Sequence, residues 1–198
     1  MPGQAANRMT AEQYRQMQGK ADSKRRHRGK RSRESGAAFE DLITASCEWY
    51  KNSGLAEIDK TPEPMRVLEG KTKGRFTACF LKKAQPDYKG TIQGGRSVVF
   101  EAKHTDTGKM EQSRVTQEQA KALEQHNKLG AECFVLLSFG MQDFYSIPWP
   151  DWRDMKAVFG HKHVTPEELE RYRLELGGNG VLKLLGDDTT EKYKEGTQ

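Results

Sequence analysis

Nowhere does a run of apolar side chains approach the ~18 residues needed to cross a bilayer, and the N-terminal stretch has no apolar signal core. A membrane protein is not expected, and a cytoplasmic location is (host cytoplasm if the source is viral). Cysteine is scarce: Cys47, Cys79 and Cys133 stand far apart. They form neither a disulfide framework nor the paired spacing of a zinc site, and read as core thiols in a reducing compartment. No glycine-rich Walker loop or dinucleotide fingerprint is present, so no nucleotide cofactor is expected. No internal repeat is visible. Apolar content is only 34% against 31% charged, and mean hydropathy is −0.90. So polar a chain of 198 residues suits one domain with unpacked tails.

What the sequence has is positive charge, unevenly placed. Between Lys20 and Arg33 stand eight basic residues (Lys20, Lys24, Arg25, Arg26, Arg28, Lys30, Arg31, Arg33) against one acid, Asp22. Such a run repels itself, and a polyanion would neutralise it with release of counterions. A solvated solubility tail is the other reading. Residues 1–33 lack apolar periodicity and are expected to be a basic disordered arm; 34–185 are expected to form one domain, and 186–198 a flexible tail.

Order is expected to begin near Ser35 and Gly36. Phe39, Leu42, Ile43, Cys47 and Tyr50 recur at helical spacing up to Asn52–Ser53–Gly54, with Glu40 on the flank of the stripe. A short extended stretch, Ala56 to Ile58, precedes Lys60–Thr61–Pro62–Glu63–Pro64, whose two prolines forbid helix. Residues 66–74 are basic and broken by glycine, and Arg75 to Lys83 reads as a strand. A turn follows at Pro86–Asp87–Tyr88–Lys89–Gly90.

Arg96 to Lys103 (RSVVFEAK) predicts a strand, and Val115, Gln119, Ala122, Leu123 and His126 fall on one face of a helix ending before Gly130. Residues 131–139 are almost continuously apolar, as in a strand covered on both faces, and 142–147 should pair with them across Gly140. A short helix is expected near Trp152 to Val158. Another is expected after the Thr165/Glu168 capping box with Pro166, and a last short strand at Val181 to Leu185. This order predicts an α/β domain with a mixed sheet.

The residues that can carry chemistry are Asp87, Glu101 and Lys103. Phosphodiester hydrolysis needs a cation to polarise the phosphate and to acidify a water, and magnesium prefers carboxylate and water oxygens. Glu101 and Lys103 stand two apart on one strand and therefore share a face, while Val98, Phe100 and Ala102 take the other. A surface Glu–Lys pair is the plain alternative. His161, His163 and His104 are assigned no role, and Trp149 and Trp152 read as core.

Pro86–Asp87, thirteen intervening residues, then Glu101–Ala102–Lys103 resembles the PD-(D/E)-x-K signature of restriction-endonuclease-like nucleases. From about Gly36 to Ser138 the chain also resembles the RecU-type Holliday junction resolvases, known too as penicillin-binding-protein-related factor A. The stretches that carry this are Phe39–Glu40 and Trp49–Tyr50, then Lys60 with Pro62 and Pro64, then Asp87–Tyr88 with Gly90. Phe100–Glu101–Ala102–Lys103, Gln119 and Cys133–Phe134–Val135 with Ser138 complete them.

The resemblance implies a restriction-endonuclease-like fold, a mixed central sheet flanked by helices with a projecting stalk hairpin at about 66–84. It implies a homodimer that makes paired nicks in strands of like polarity at a four-way DNA junction. Mg²⁺, with Mn²⁺ able to substitute, would be held by Asp87, Glu101 and the carbonyl oxygen of Gln119 or a water on it. Lys103 would stabilise charge at phosphorus or orient the water, and Glu40 would assist. Gln119 has a second reading as capping partner of Thr116. Lys71, Lys73, Arg75, Lys82 and Lys83 on the stalk, with Arg25, Arg26, Arg28, Lys30, Arg31 and Arg33 on the arm, would follow phosphates. Where many relatives have threonine two before the aspartate, this chain has Gln85. The alternatives are a nuclease without junction preference, an inactive junction-binding protein, and an RNA-binding module.

Overall fold

A computed structural model describes residues 11–62, 64–70, 76–80 and 85–185; of residues 11–26, 28, 69, 70, 76 and 80 it describes the backbone alone. Helix α1 (Ala11–Asn52) leads into strands β1 (Ala56–Lys60), β2 (Met65–Gly70), β3 (Phe76–Phe80), β4 (Tyr88–Ile92) and β5 (Ser97–Thr105). A two-residue strand β6 (Met110–Glu111) precedes helix α2 (Gln117–Lys128) and strands β7 (Glu132–Phe139) and β8 (Asp143–Pro148). Short helices α3 (Trp149–Arg153) and α4 (Met155–Phe159) and strand β9 (His163–Val164) end the regular elements, apart from 3-10 turns.

Five strands form one sheet in the order β1-β4-β5-β7-β8. β5 and β7 are parallel and joined through α2; every other pairing in that sheet is antiparallel. The expected α/β architecture with a mixed sheet is therefore present, and β5 is its middle strand.

The last third of α1 packs because its apolar residues return every third or fourth position: Phe39, Ile43, Cys47 and Tyr50 are all buried. They cover Val98, Phe100, Phe134 and Leu136 on one face of the sheet. The opposite face holds a second cluster of Val99, Leu123, Val135, Leu137 and the tryptophans Trp149 and Trp152. Strand β5 thus alternates between two cores and is buried on both sides. Tyr88, Phe100 and Phe134 stack across three strands, with ring centroids 4.8 and 4.7 Å apart and planes 9° from parallel.

Glycine is required where β1 and β4 meet. A Cβ on Gly90 would lie 2.1 Å from the Glu57 carbonyl oxygen and 2.6 Å from Ile58 Cα, inside any tolerable contact.

Three expectations change. The expected disordered arm is, from Ala11 onward, the N-terminal part of α1. This stretch lacks apolar periodicity, and residues 29–34 are exposed. Helix here follows from residue preference (Ala, Gln, Glu, Lys and Arg dominate) and from pairs such as Lys30–Glu34 at 3.8 Å. The Thr165 capping box forms but opens a 3-10 turn, Pro166–Tyr172, instead of an α-helix. Val181 to Leu185 makes one bridge, Leu176 with Leu182, and not a strand; its leucines pack on α1, and the Leu182 amide donates to Ser46 Oγ at 3.0 Å.

The stalk is described only in part. β2 and β3 pair with each other in a two-stranded antiparallel ribbon separate from the main sheet, exposing Met65, Val67 and Leu68. Lys71, Lys73, Arg75, Lys82 and Lys83 lie outside the described residues, as do residues 1–10 and the tail from 186.

Candidate active site

The register of the sheet assembles the site. β4 and β5 pair with Tyr88 opposite Phe100, so one residue further Asp87 lies opposite Glu101, on the face away from α1. Glu101 in turn lies opposite Val135, and Lys103 opposite Leu137. Since paired residues on one face have Cβ atoms ~5 Å apart, two carboxyl groups are set side by side with one apolar wall.

The contacts bear this out. The Asp87 amide donates to Glu101 Oε2 at 3.1 Å, and the Ala102 amide donates to Asp87 Oδ2 at 3.3 Å. Lys103 Nζ makes a close ion pair with Glu101 Oε1. Gln119 on α2 reaches down to the same oxygen with its side-chain amide. The structure therefore brings together four of the expected site residues: Asp87, Glu101, Lys103 and Gln119.

Gln119 caps α2 and also reaches Glu101, and the two contacts together fix its orientation. Its Oε1 accepts from the Thr116 amide at 3.0 Å and Thr116 Oγ1 accepts from the Gln119 amide at 3.3 Å, a reciprocal capping box. The NH₂ group is left facing Glu101. In this arrangement Gln119 presents hydrogens and not a carbonyl oxygen to the carboxylate, so it orients Glu101 where a ligand oxygen was expected.

Glu101 is 0% exposed. Burial, then the neighbouring Asp87 carboxyl, push its acid dissociation up to about 8, against the opposing pull of Lys103. Two carboxyls in contact in a water-poor pocket make a donor set that holds one proton where a hard divalent cation fits. Among the described residues no group of three or more His, Cys, Asp and Glu side chains converges. A cation here would therefore be held by two carboxylates completed by neutral oxygens and water.

Glu40 lies apart from this group. It projects from the α1 side of the sheet, half exposed, and pairs with Lys60 Nζ at 2.5 Å. Lys60 stands opposite Tyr88 on that same face, so Glu40 shares the site's end of the sheet but not its face. Gln85 is exposed and accepts from Lys89 Nζ at 2.8 Å.

Of the arm residues, Lys30, Arg31 and Arg33 are exposed, and the side chains of Arg25, Arg26 and Arg28 fall outside those described. Arg31 borders a cleft of about 640 Å³ with His104, Asp106, Lys109 and Arg114 at the end of β5. His104 is held between Ser138 Oγ and Asp106 Oδ1, each at 3.1 Å. His161 pairs with Glu168 at 2.9 Å and stacks on His163, with no further ligand. No described helix is long and apolar enough to cross a membrane.

The family model described as recombination protein U matches residues 34–185. The Holliday junction resolvase RecU of Streptococcus pneumoniae serotype 19F (strain G54) is 28% identical over 149 residues, 71% of this chain and 75% of that protein. That of Streptococcus gordonii is 29% identical over 153 residues (74% and 68%), and that of Geobacillus kaustophilus 27% over 150 (69% and 73%). Among solved structures, Archaeoglobus fulgidus Hjc, a Holliday junction resolvase, aligns with a TM-score of 0.42 at 12% identity, covering 71% of this chain and 95% of that one. With three-quarters of its length matched by the family model, from the middle of α1 to Leu185, this chain belongs to the RecU family.

Proposed function

We propose that this protein is a divalent-metal-dependent DNA endonuclease that resolves four-way junctions. The observation that carries the reading is a fully buried carboxylate, Glu101, held on one sheet face against a second carboxylate and a lysine. Burial and the second acid hold Glu101 protonated when no cation is present, a strained arrangement that a divalent ion between the two carboxyls would relieve.

Mg²⁺, with Mn²⁺ as a substitute, would be held by Asp87 and Glu101, and when bound supplies Lewis acidity toward the scissile phosphate and an acidified water. To hold the cation Glu101 would have to be ionised, against the burial and the Asp87 carboxyl that favour its proton. Gln119 and Lys103 hold its Oε1 in place. Lys103, 17% exposed at its side chain, is the group that can turn toward an incoming phosphate and offset charge gathering on its oxygens. Behind the site the stacked Tyr88, Phe100 and Phe134 rings keep the carboxylates from shifting.

A junction substrate follows from family membership and from the names of the relatives. Strands of like polarity related by a twofold axis would be cut by a homodimer of like symmetry. The β2–β3 ribbon and the basic half of α1 are the elements available to contact converging backbones.

The test is cleavage of a labelled four-way junction and of the matching linear duplex, with Mg²⁺, Mn²⁺ or EDTA. The wild type should cut the junction selectively and only with metal, while Asp87→Asn and Lys103→Ala bind without cutting. Cutting retained by both variants refutes the site. Equal rates on duplex and junction leave a nuclease but refute junction resolution.

A further inference from the structure

The donor set described above is short of oxygen. A magnesium-like ion takes about six oxygens, some from water. Two are offered by Asp87 and Glu101, and the neutral side-chain oxygens one would look to next are occupied: that of Gln119 by the Thr116 amide, that of Gln85 by Lys89.

The strand on the other side of Asp87 supplies a candidate. β1 pairs with β4 with Lys60 opposite Tyr88, and one step further the Thr61 amide donates to the Asp87 carbonyl at 2.7 Å. Thr61, Asp87 and Glu101 thus form a single row across three neighbouring strands, their side chains on one face. The Thr61 hydroxyl is buried and has no hydrogen-bond partner among the described residues. A buried hydroxyl left unpaired costs ~1–3 kcal/mol, so one facing a charged pair calls for an explanation. Nor can it easily turn away: Pro62 confines Thr61 to extended backbone, and its branched Cβ restricts rotation.

We infer that Thr61 is part of the cation site, its hydroxyl oxygen completing the coordination begun by Asp87 and Glu101. This rests on the metal-dependent reading proposed above and extends it by one residue. The hydroxyl is neutral, so it adds an oxygen without adding a third negative charge to a pocket that already retains a proton. Its place beyond Asp87, on the side away from Glu101, puts the aspartate between two oxygen donors.

The experiment measures Mn²⁺ binding to the full chain without DNA, by loss of the free-ion electron paramagnetic resonance signal. Wild type, Thr61→Val, Thr61→Ser and Asp87→Asn are compared, each also melted in EDTA. Valine keeps the shape and removes the oxygen; serine keeps the oxygen. Thr61→Val should bind Mn²⁺ about tenfold more weakly, within the range for groups that complete a metal site. Thr61→Ser should bind within about threefold of wild type. In EDTA Thr61→Val should melt no lower than wild type, since an unpaired buried hydroxyl has gone, so the weaker binding is not misfolding.

Wild-type affinity in Thr61→Val, or equal loss in valine and serine, overturns the assignment while leaving the carboxylate site intact. If Asp87→Asn also binds like wild type, the cation site itself is wrong and the proposed function falls with it.

Discussion

Replacing Glu101 with glutamine should make the metal-free protein more stable while abolishing cleavage. Below pH 4.5, the ordinary glutamate value, the carboxyl is protonated whether the chain is folded or not. As pH rises from there, the unfolded chain releases its proton while the folded chain, raised to about 8, retains it. Stability contributed by this group is thus full below 4.5 and is lost as pH climbs to about 8, at ~1.4 kcal/mol per pH unit. That gives roughly 3 kcal/mol by pH 7, an upper figure because a glutamine also forfeits the Asp87 amide bond, worth ~1 kcal/mol. Urea unfolding of wild type and Glu101→Gln in EDTA, from pH 5 to 8.5, measures it. The stability difference should widen with pH in the variant's favour by ~1 kcal/mol or more per unit and level off above 8. Parallel curves would refute the claim that this carboxyl is kept protonated by its surroundings.

The same proton sets the pH course of metal binding: below about 8 a cation must displace it, so Mg²⁺ affinity followed by calorimetry should rise with pH, by up to ~tenfold per unit. Gln119→Ala removes both the capping box and a donor to Glu101. It should cost ~1 kcal/mol in urea unfolding and lower junction cleavage; unchanged stability would contradict the capping geometry. Gly90→Ala forces β1 off β4 and should cost at least ~2 kcal/mol, whereas Gly36→Ala in α1, with nothing within 4 Å of its new Cβ, should gain ~0.5–1 kcal/mol. Melting temperatures that move the same way would refute the contrast.

The site was legible where chemistry and local period coincide. Glu101 and Lys103 two apart on a β-branched strand could only share a face, whereas the place of Asp87 opposite Glu101 is set by the β4–β5 register. Gln119 was legible as an inward residue, but which end of its amide faced the carboxylate depended on Thr116 and needed coordinates. Thr61 carried no signal at all, because a threonine before a proline is ordinary in sequence. Its neighbourhood is set by register between strands 26 residues apart. The N-terminal half of α1 stays hidden for a related reason: its sequence holds no apolar stripe to betray a helix. Glu40 was placed on the correct helix flank, yet a one-dimensional reading could not tell which face of the sheet that flank would meet.

Strand β5 is a partition shared by two independently packed compartments, with Phe100 belonging to one and Val99 to the other. Loosening either compartment tilts the same nine residues and so moves the reactive groups, however distant the lesion. If the proposed cleavage holds, it depends on both halves of the interior. Substitutions among the α1 apolar residues should register in catalysis before they register in folding, because a wall can lean without falling.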